Sequence, residues 1–281
     1  MNRLVLVVPS DLKMQENFTR IAESIDVFED ITVYFINQSE EKSLNDVYEF
    51  KKSECNEIRT YKTVPLSTAR NIALKKIYKE CRFENNTLIM FVDDDAWFPR
   101  ETLEYLLISD VKAYSLKTID PAVDKSFSLS HKTQGIVKGW HLVHDIVSIC
   151  LVVPLMFLKE NGMFFNEKLG LGNRISQGEE SLFIYEMSKK GVKISYDYHL
   201  VYHSYKRSFN IKNFYSMSYF WWVCLTHVSV IFLWPAVKHL LKYTLAIVLS
   251  IRDKRYLEIF KAVWEGCLNG VRDTEEVIVD K

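Results

Sequence analysis

The 281-residue sequence predicts an α/β fold, with helices packed on a mostly parallel sheet. Short apolar, β-branched runs alternate with stretches of helical period through the first hundred residues. Each of the clearest runs ends in small polar or acidic residues, as strands do where an α/β sheet opens to solvent. No internal repeat and no Gly- or Pro-rich linker breaks the chain, so one large domain with an appendage fits its length.

Taken in order, residues 4–8 (LVLVV) form a buried strand that Pro9 stops. Over 14–28, Phe18, Ile21, Ala22, Ile25 and Phe28 recur on one helical face. Residues 31–36 are a second strand, ending at Asn37-Gln38-Ser39. Ser67 is placed to cap a helix reaching about residue 81, with Ala69, Ile72, Ala73 and Ile77 inward. Residues 88–92 are a third strand, running into Asp93, Asp94 and Asp95. Pro99 then suits the first turn of a helix carrying Leu103, Leu106 and Leu107. Residues 110–144 mix short β-type runs with polar loops, and 146–155 are again apolar. The stretch 166–178 reads as a loop; EESLFIYEMSKK is a helix closed by Gly191, followed by a strand over 192–196. Three strand ends, at Pro9-Ser10, Asn37 and Asp93, therefore converge on one crevice.

Formal net charge is zero, which gives no global attraction to nucleic acid. Residues 206–261, however, hold nine Lys or Arg against only Asp253 and Glu258. The five cysteines are scattered without a CxxC or Cys/His cluster, so neither a zinc site nor a disulfide framework is indicated, and a reducing compartment fits. The short apolar run at the start is a strand rather than a signal peptide.

Four constellations can carry chemistry. Alternation along an extended segment puts Asp93 and Asp95 on one face and turns Asp94 away, leaving Asp94 dispensable. Hard carboxylate oxygens there suit Mg²⁺ or Mn²⁺ bridging a diphosphate; an acidic cap before Pro99 is the competing explanation. Gly178-Glu179-Glu180 places two acids at a helix start, where the dipole keeps a carboxylate ionised as a general base or merely caps the helix. Arg70, in Thr68-Ala69-Arg70-Asn71, can meet a phosphate or nucleobase, or be a surface arginine. His203, followed by Lys206 and Arg207, can ligate metal or bind diphosphate, or be structural.

Read together and in order, STARNIAL (67–74), FVDDDAWF (91–98), FFNEKLGLGNRISQGEESLF (164–183) and YHSYKRS (202–208) resemble family 2 glycosyltransferases of the GT-A fold. The resemblance covers residues 3–208 and is nearest to bacterial enzymes of surface-polysaccharide assembly. It implies a Rossmann-like mixed sheet flanked by helices, and inverting transfer from a nucleotide-diphosphate sugar, a UDP-sugar first, to a glycan or polyprenyl-diphosphate-linked acceptor. It further implies Pro9 and Ser10 beside the nucleotide and Arg70 helping to hold it. Asp93 falls near ribose or metal, Asp95 on Mn²⁺ or Mg²⁺, and His203 with Lys206 or Arg207 near metal and diphosphate. Glu180 takes the catalytic-base position, with Glu179 as the alternative where relatives carry an ED pair. Asn37 stands where relatives commonly have the Asp that contacts uracil.

Residues 219–237 (YFWWVCLTHVSVIFLWPAV) contain no Asp, Glu, Lys or Arg, and their nineteen residues are just long enough to span a bilayer. Spanning, lying in the interface and packing on the catalytic domain all fit. The tryptophans and flanking lysines favour the interface, at the cytoplasmic face of the membrane. A second apolar run, 243–251, is too short to span. The expected division is a transferase domain over 1–208 and a helical, membrane-associating segment over 209–281. Two other functions compete: a sugar nucleotidyltransferase, which PSDLKMQEN after the first strand disfavours for want of a Gly-rich basic loop, and a degenerate transferase domain kept as an assembly partner.

Overall fold

A computed structural model of the chain describes residues 1–80, 82–123, 125–126, 135–204, 210–244 and 255–272. Ten strands form one mixed sheet in the order β3-β2-β1-β4-β9-β6-β10-β5, with β7 (Lys125–Ser126) on β6 and β8 (Gly135–Ile136) on β10. The central parallel set is β1 (Arg3–Ser10), β2 (Ile31–Asn37), β3 (Glu54–Arg59) and β4 (Thr87–Phe91). Strands β1, β2 and β4 are buried along almost their whole length, as the continuous apolar runs require.

β3 was not legible as a strand. It pairs with β2 at the sheet edge, and its ECNEIR sequence is mostly polar and part-exposed. The apolar stretch 146–155 contains a 3₁₀ turn, Ser148–Cys150, and then β9 (Leu151–Pro154), which runs antiparallel between β4 and β6 (Ala113–Asp120). That strand, together with the short antiparallel strands at the edge of β6 and β10, makes the sheet mixed.

α1 (Gln15–Ile25), α2 (Leu66–Ile77) and α3 (Arg100–Ile108) follow the predicted apolar faces. The cap of α2 differs from the expectation. Pro65 occupies the N-cap position, while Ser67 lies in the first turn and donates its hydroxyl to Leu169 O at 2.6 Å. Thus Ser67 ties α2 to the 166–178 loop instead of satisfying its own helix.

β10 (Ile194–His203) is longer than the predicted strand and pairs parallel with β6. Its last residues also pair antiparallel with β5 (Ala96–Trp97), matching His203 to Ala96 and Tyr202 to Trp97. The late histidine is thereby carried to the strand end that holds the aspartates.

Two short helices, α4 (His141–His144) and α5 (Leu155–Glu160), flank β9 in sequence, and α6 (Glu179–Lys189) carries the two glutamates. Beyond them the apolar run does not make one helix. α7 (Ile211–His227) ends at Val228; a 3₁₀ turn, Val230–Phe232, leads into α8 (Leu233–Thr244). Tyr219, Phe220, Trp221, Val223 and Cys224 are buried in a core shared with Leu169, Ile175 and Leu182. α9 (Arg255–Arg272) lies against α7 so closely that a Cβ on Gly266 or Gly270 would come within 2.5 and 2.6 Å of the Tyr215 and Tyr219 carbonyl oxygens. No helix among the described residues is long and apolar enough to cross a membrane, which overturns the spanning reading of 219–237. Residues 245–251 of the second apolar run lie outside the described residues.

Candidate active site

A cleft of about 440 Å³ opens at the carboxyl ends of β1 and β4, lined among others by Pro9, Ser10, Asp93, Asp94, Asp95 and His203. The three aspartates lie beyond the end of β4, and a turn closed by Ala96 N donating to Asp93 O at 3.1 Å, rather than the alternation of an extended segment, separates them. Asp93 and Asp95 turn to His203, whose Nε2 lies 3.8 Å from Asp93 Oδ2 and 2.9 Å from Asp95 Oδ1. Asp94 instead accepts a hydrogen bond from Ser10 Oγ. The hydroxyl of Ser10 in turn accepts from Leu12 N at 3.0 Å.

Behind this face stands Arg70, with no exposed surface. Its Nη2 is 3.3 Å from Asp93 Oδ1 and donates to Ser148 Oγ at 2.8 Å. Its Nη1 faces Glu179 Oε1 at 3.9 Å and Glu180 Oε1 at 3.8 Å. One buried cation therefore links the aspartate end of β4 with the glutamates that begin α6. Burial would raise the Asp93 carboxyl, but the His203 hydrogen bond and the Arg70 charge hold it below its ordinary value. Burial opposes the charge on His203, yet its bonds to Asp93 and Asp95 push it up to about 9. Asp94, largely buried and beside two like charges, is pushed up to about 6, against the lowering effect of Ser10.

The glutamates are not equivalent. Glu179 is buried, and burial together with the neighbouring Glu180 pushes it up to about 7, against the lowering effect of Arg70. Glu180 is more open, with its side chain 26% exposed, and accepts a hydrogen bond from Ser148 Oγ. Both sit at the start of α6 because Gly178 adopts φ +98° there, a left-handed conformation natural to glycine. A Cβ at Gly178 would also come within 2.2 Å of the Phe220 ring on α7. The C-terminal helices thus brace the glutamate turn.

Two predicted nucleotide contacts have other surroundings. Arg70 does not line the cleft; it is an internal counter-ion and reaches a ligand only through the carboxylates it holds. Asn37 is also fully buried and outside the cleft lining. It donates to Glu57 Oε1 (2.6 Å) and Lys42 O (2.8 Å) and accepts from Ser39 N (2.8 Å). Gln38, next along, lines the cleft, and its Oε1 accepts from Val64 N at 2.7 Å. Lys206 and Arg207 lie outside the described residues. Ser148, which joins Arg70 to Glu180, escaped the sequence reading; a serine inside the apolar run 146–155 was the available signal.

Asp93, Asp95 and His203 each offer a ligand atom, all within 4.8 Å of one another. Two carboxylate oxygens and one imidazole nitrogen are a donor set that accepts Mn²⁺ or Mg²⁺ with substrate oxygens completing the shell. The two carboxylates favour the charged form of His203, against the effect of its burial.

No protein-family model and no curated protein matches the chain. Solved structures do. The 1–349 fragment of S. aureus TarS in complex with UDP-GlcNAc aligns at a TM-score of 0.64 and 15% identity, over 96% of this chain and 81% of that one. The same fragment in another crystal structure gives 0.63 and 14% over the same shares. The fragment in complex with UDP gives 0.55 and 15%, over 88% of this chain and 71% of that one. The architecture is that of the TarS 1–349 fragment. At this identity the likeness is one of fold.

Proposed function

We propose that the chain is a family 2 glycosyltransferase that moves a sugar from a nucleotide-diphosphate sugar to a glycan or polyprenyl-diphosphate-linked acceptor during bacterial surface-polysaccharide synthesis. The observation that carries the reading is the Asp93–Asp95–His203 cluster, joined through Arg70 to Glu180 at the open end of the sheet. The TarS complexes with UDP-GlcNAc and UDP, which share the fold, support a uridine donor.

In this reading the donor lies in the cleft beside Pro9 and Ser10, and Gln38 takes the place expected of Asn37 near the base. Asp93, Asp95 and His203 would hold Mn²⁺ or Mg²⁺, which supplies charge neutralisation at the leaving diphosphate. Lys206 and Arg207 add positive charge in the segment after His203. Glu180, the more open glutamate, removes the acceptor proton as its hydroxyl attacks the anomeric carbon with inversion. Glu179 stays inside and, through Arg70, fixes the turn.

The division into a transferase domain over 1–208 and a helical segment over 209–281 belongs to the same proposal, as does peripheral attachment at the cytoplasmic membrane face. Supporting the attachment, Val230, Leu233, Trp234 and Leu241 are exposed near Lys238 and Lys242. Salt-insensitive failure to float with anionic vesicles would remove it.

A donor screen with Mn²⁺ or Mg²⁺, following nucleoside-diphosphate release, tests the central reading. Release from a UDP-sugar that stops with Glu180→Gln is expected. Formation of a nucleotide sugar from sugar phosphate and nucleoside triphosphate would point to the nucleotidyltransferase instead.

A further inference from the structure

On the other side of the glutamate turn lies a second cavity, of about 290 Å³, between the 166–178 loop and helices α7 and α8. Its lining combines aromatic faces with uncharged hydrogen-bonding groups. Phe214 and Tyr243 form one corner, with ring centroids 5.1 Å apart at 79°, and His239 packs on Tyr243 at 4.9 Å. Trp221 closes the cavity beside His144.

Some polar atoms there are unspent. His239 Nε2 is buried and has no hydrogen-bond partner among the described residues. Burial pushes the His239 ring down to about 4, against a hydrogen bond to the Phe214 backbone, so the neutral ring spends its proton there and turns the lone pair of Nε2 to the cavity. Gln177 makes no side-chain hydrogen bond among the described residues, although it is half-buried. Asn213 uses its carbonyl oxygen for Ser176 Oγ at 3.2 Å and keeps its amide N–H groups. No Asp, Glu, Lys or Arg is among the described lining residues.

Flat apolar faces beside neutral donors and acceptors match a pyranose, which has an apolar C–H face and a rim of hydroxyls. They do not match a phosphate or uronate, which needs a cation. The volume is near the lower end of the roughly 300–1,000 Å³ range of small-molecule sites. The position is informative as well. Gln177 is three residues before Glu180, and His144 is four before Ser148, whose hydroxyl bonds Glu180. Two walls of the cavity are therefore tied through short segments to the carboxylate that would take the acceptor proton.

We infer that this cavity is an acceptor subsite for a neutral sugar ring, held against the Phe214–Tyr243 corner by hydrogen bonds from Gln177 and Asn213 and by a hydroxyl donating to His239. The inference rests on the glycosyltransfer reading for its word "acceptor", but its binding chemistry stands apart from it.

The test is saturation-transfer NMR on the full chain. The probes are methyl glucoside and methyl N-acetylglucosaminide as neutral rings, and methyl glucuronide and glycerol phosphate as anions. The neutral glycosides are expected to bind and the anions not. Gln177→Ala and Tyr243→Ala should each weaken the neutral glycosides about tenfold, the effect of losing one good contact in a desolvated site. Thermal melting identifies a Tyr243 variant that fails to fold; Gln177, with no hydrogen bond to lose, then carries the test. Absence of glycoside binding to the wild type, unchanged binding in folded Gln177→Ala, or preference for the anions would each overturn the subsite. A parallel UDP titration separates the two ideas. Glycoside binding without UDP binding would count against the donor reading and leave the sugar site standing.

Discussion

Replacing Arg70 with Met removes a fully buried cation behind the cleft while keeping most of the side-chain volume. Three carboxylates lose a counter-charge: Asp93 at 3.3 Å, Glu180 at 3.8 Å and Glu179 at 3.9 Å. Removing one partner of a buried ion pair typically costs about 3–5 kcal/mol, because the remaining charge is left without compensation. That range applies here, since Arg70 is wholly inside and Glu179 nearly so. The loss should depend on pH. Glu179 is raised in the fold to about 7 from an ordinary 4.5, so the folded chain holds more protons than the unfolded one between those values. Its contribution therefore falls as pH rises through that window. Without Arg70 the carboxyl rises further and the fall steepens, so Arg70→Met should recover part of its deficit at pH 5. Urea unfolding of wild type and variant at pH 5 and 8 reads both effects. Adding Glu179→Gln to Arg70→Met should return much of the lost stability. A variant within about 0.5 kcal/mol of wild type at pH 8, the scatter of ordinary surface substitutions, would refute the counter-ion role.

Other outcomes follow from the same geometry. Ser148→Ala should cost about 1 kcal/mol of stability, since it deletes a hydrogen bond from Arg70 and one to Glu180; it should also slow transfer more than it alters UDP binding, which steady-state kinetics beside calorimetry would show. Gly178→Ala combines a positive φ with a Cβ 2.2 Å from the Phe220 ring, and should lower stability by at least ~2 kcal/mol in chemical denaturation. Burial would raise Asp26, but backbone N–H donors of Lys52, Lys51 and Ser53, and the Tyr48 hydroxyl, hold it below its ordinary 3.8. Its stabilisation is thus present above that value and lost as pH falls through the depressed one. Asp26→Asn should destabilise the fold at pH 7 and flatten the acid limb of a melting-temperature profile; an unchanged acid limb would count against it.

Much of the fold was legible because it rests on burial. LVLVV, ITVYFI and TLIMF are apolar at nearly every position, and a strand covered on both faces demands that pattern. β3 lies at an edge, where the demand weakens, and ECNEIR does not stand out. The antiparallel direction of β9 depends on partners from β4 and β6, which no local pattern encodes. At the site, Asp94 does part from Asp93 and Asp95 as expected, but it does so in a turn after β4 rather than by alternation along an extended segment. His203 reached them through a bridge to Ala96 more than one hundred residues earlier, a contact only ordered motifs could suggest. The burial of Arg70 and Asn37 was not legible, because their polar character says nothing about which neighbours consume it. The run 219–237 misled in a similar way. Its lack of charge reflects a core shared with Leu169 and Leu182, and its break at Val228–Ser229 shows only once α8 turns away.

The account turns on Asp93, Asp95 and His203 gathering a divalent cation for a nucleotide diphosphate. Titration of Mn²⁺ followed by electron paramagnetic resonance, with and without UDP, addresses it directly. The wild-type chain should bind Mn²⁺ more tightly in the presence of UDP, and Asp95→Ala should abolish that gain while keeping the wild-type melting profile. Equal Mn²⁺ binding by wild type and Asp95→Ala, or no effect of UDP on either, would contradict the account.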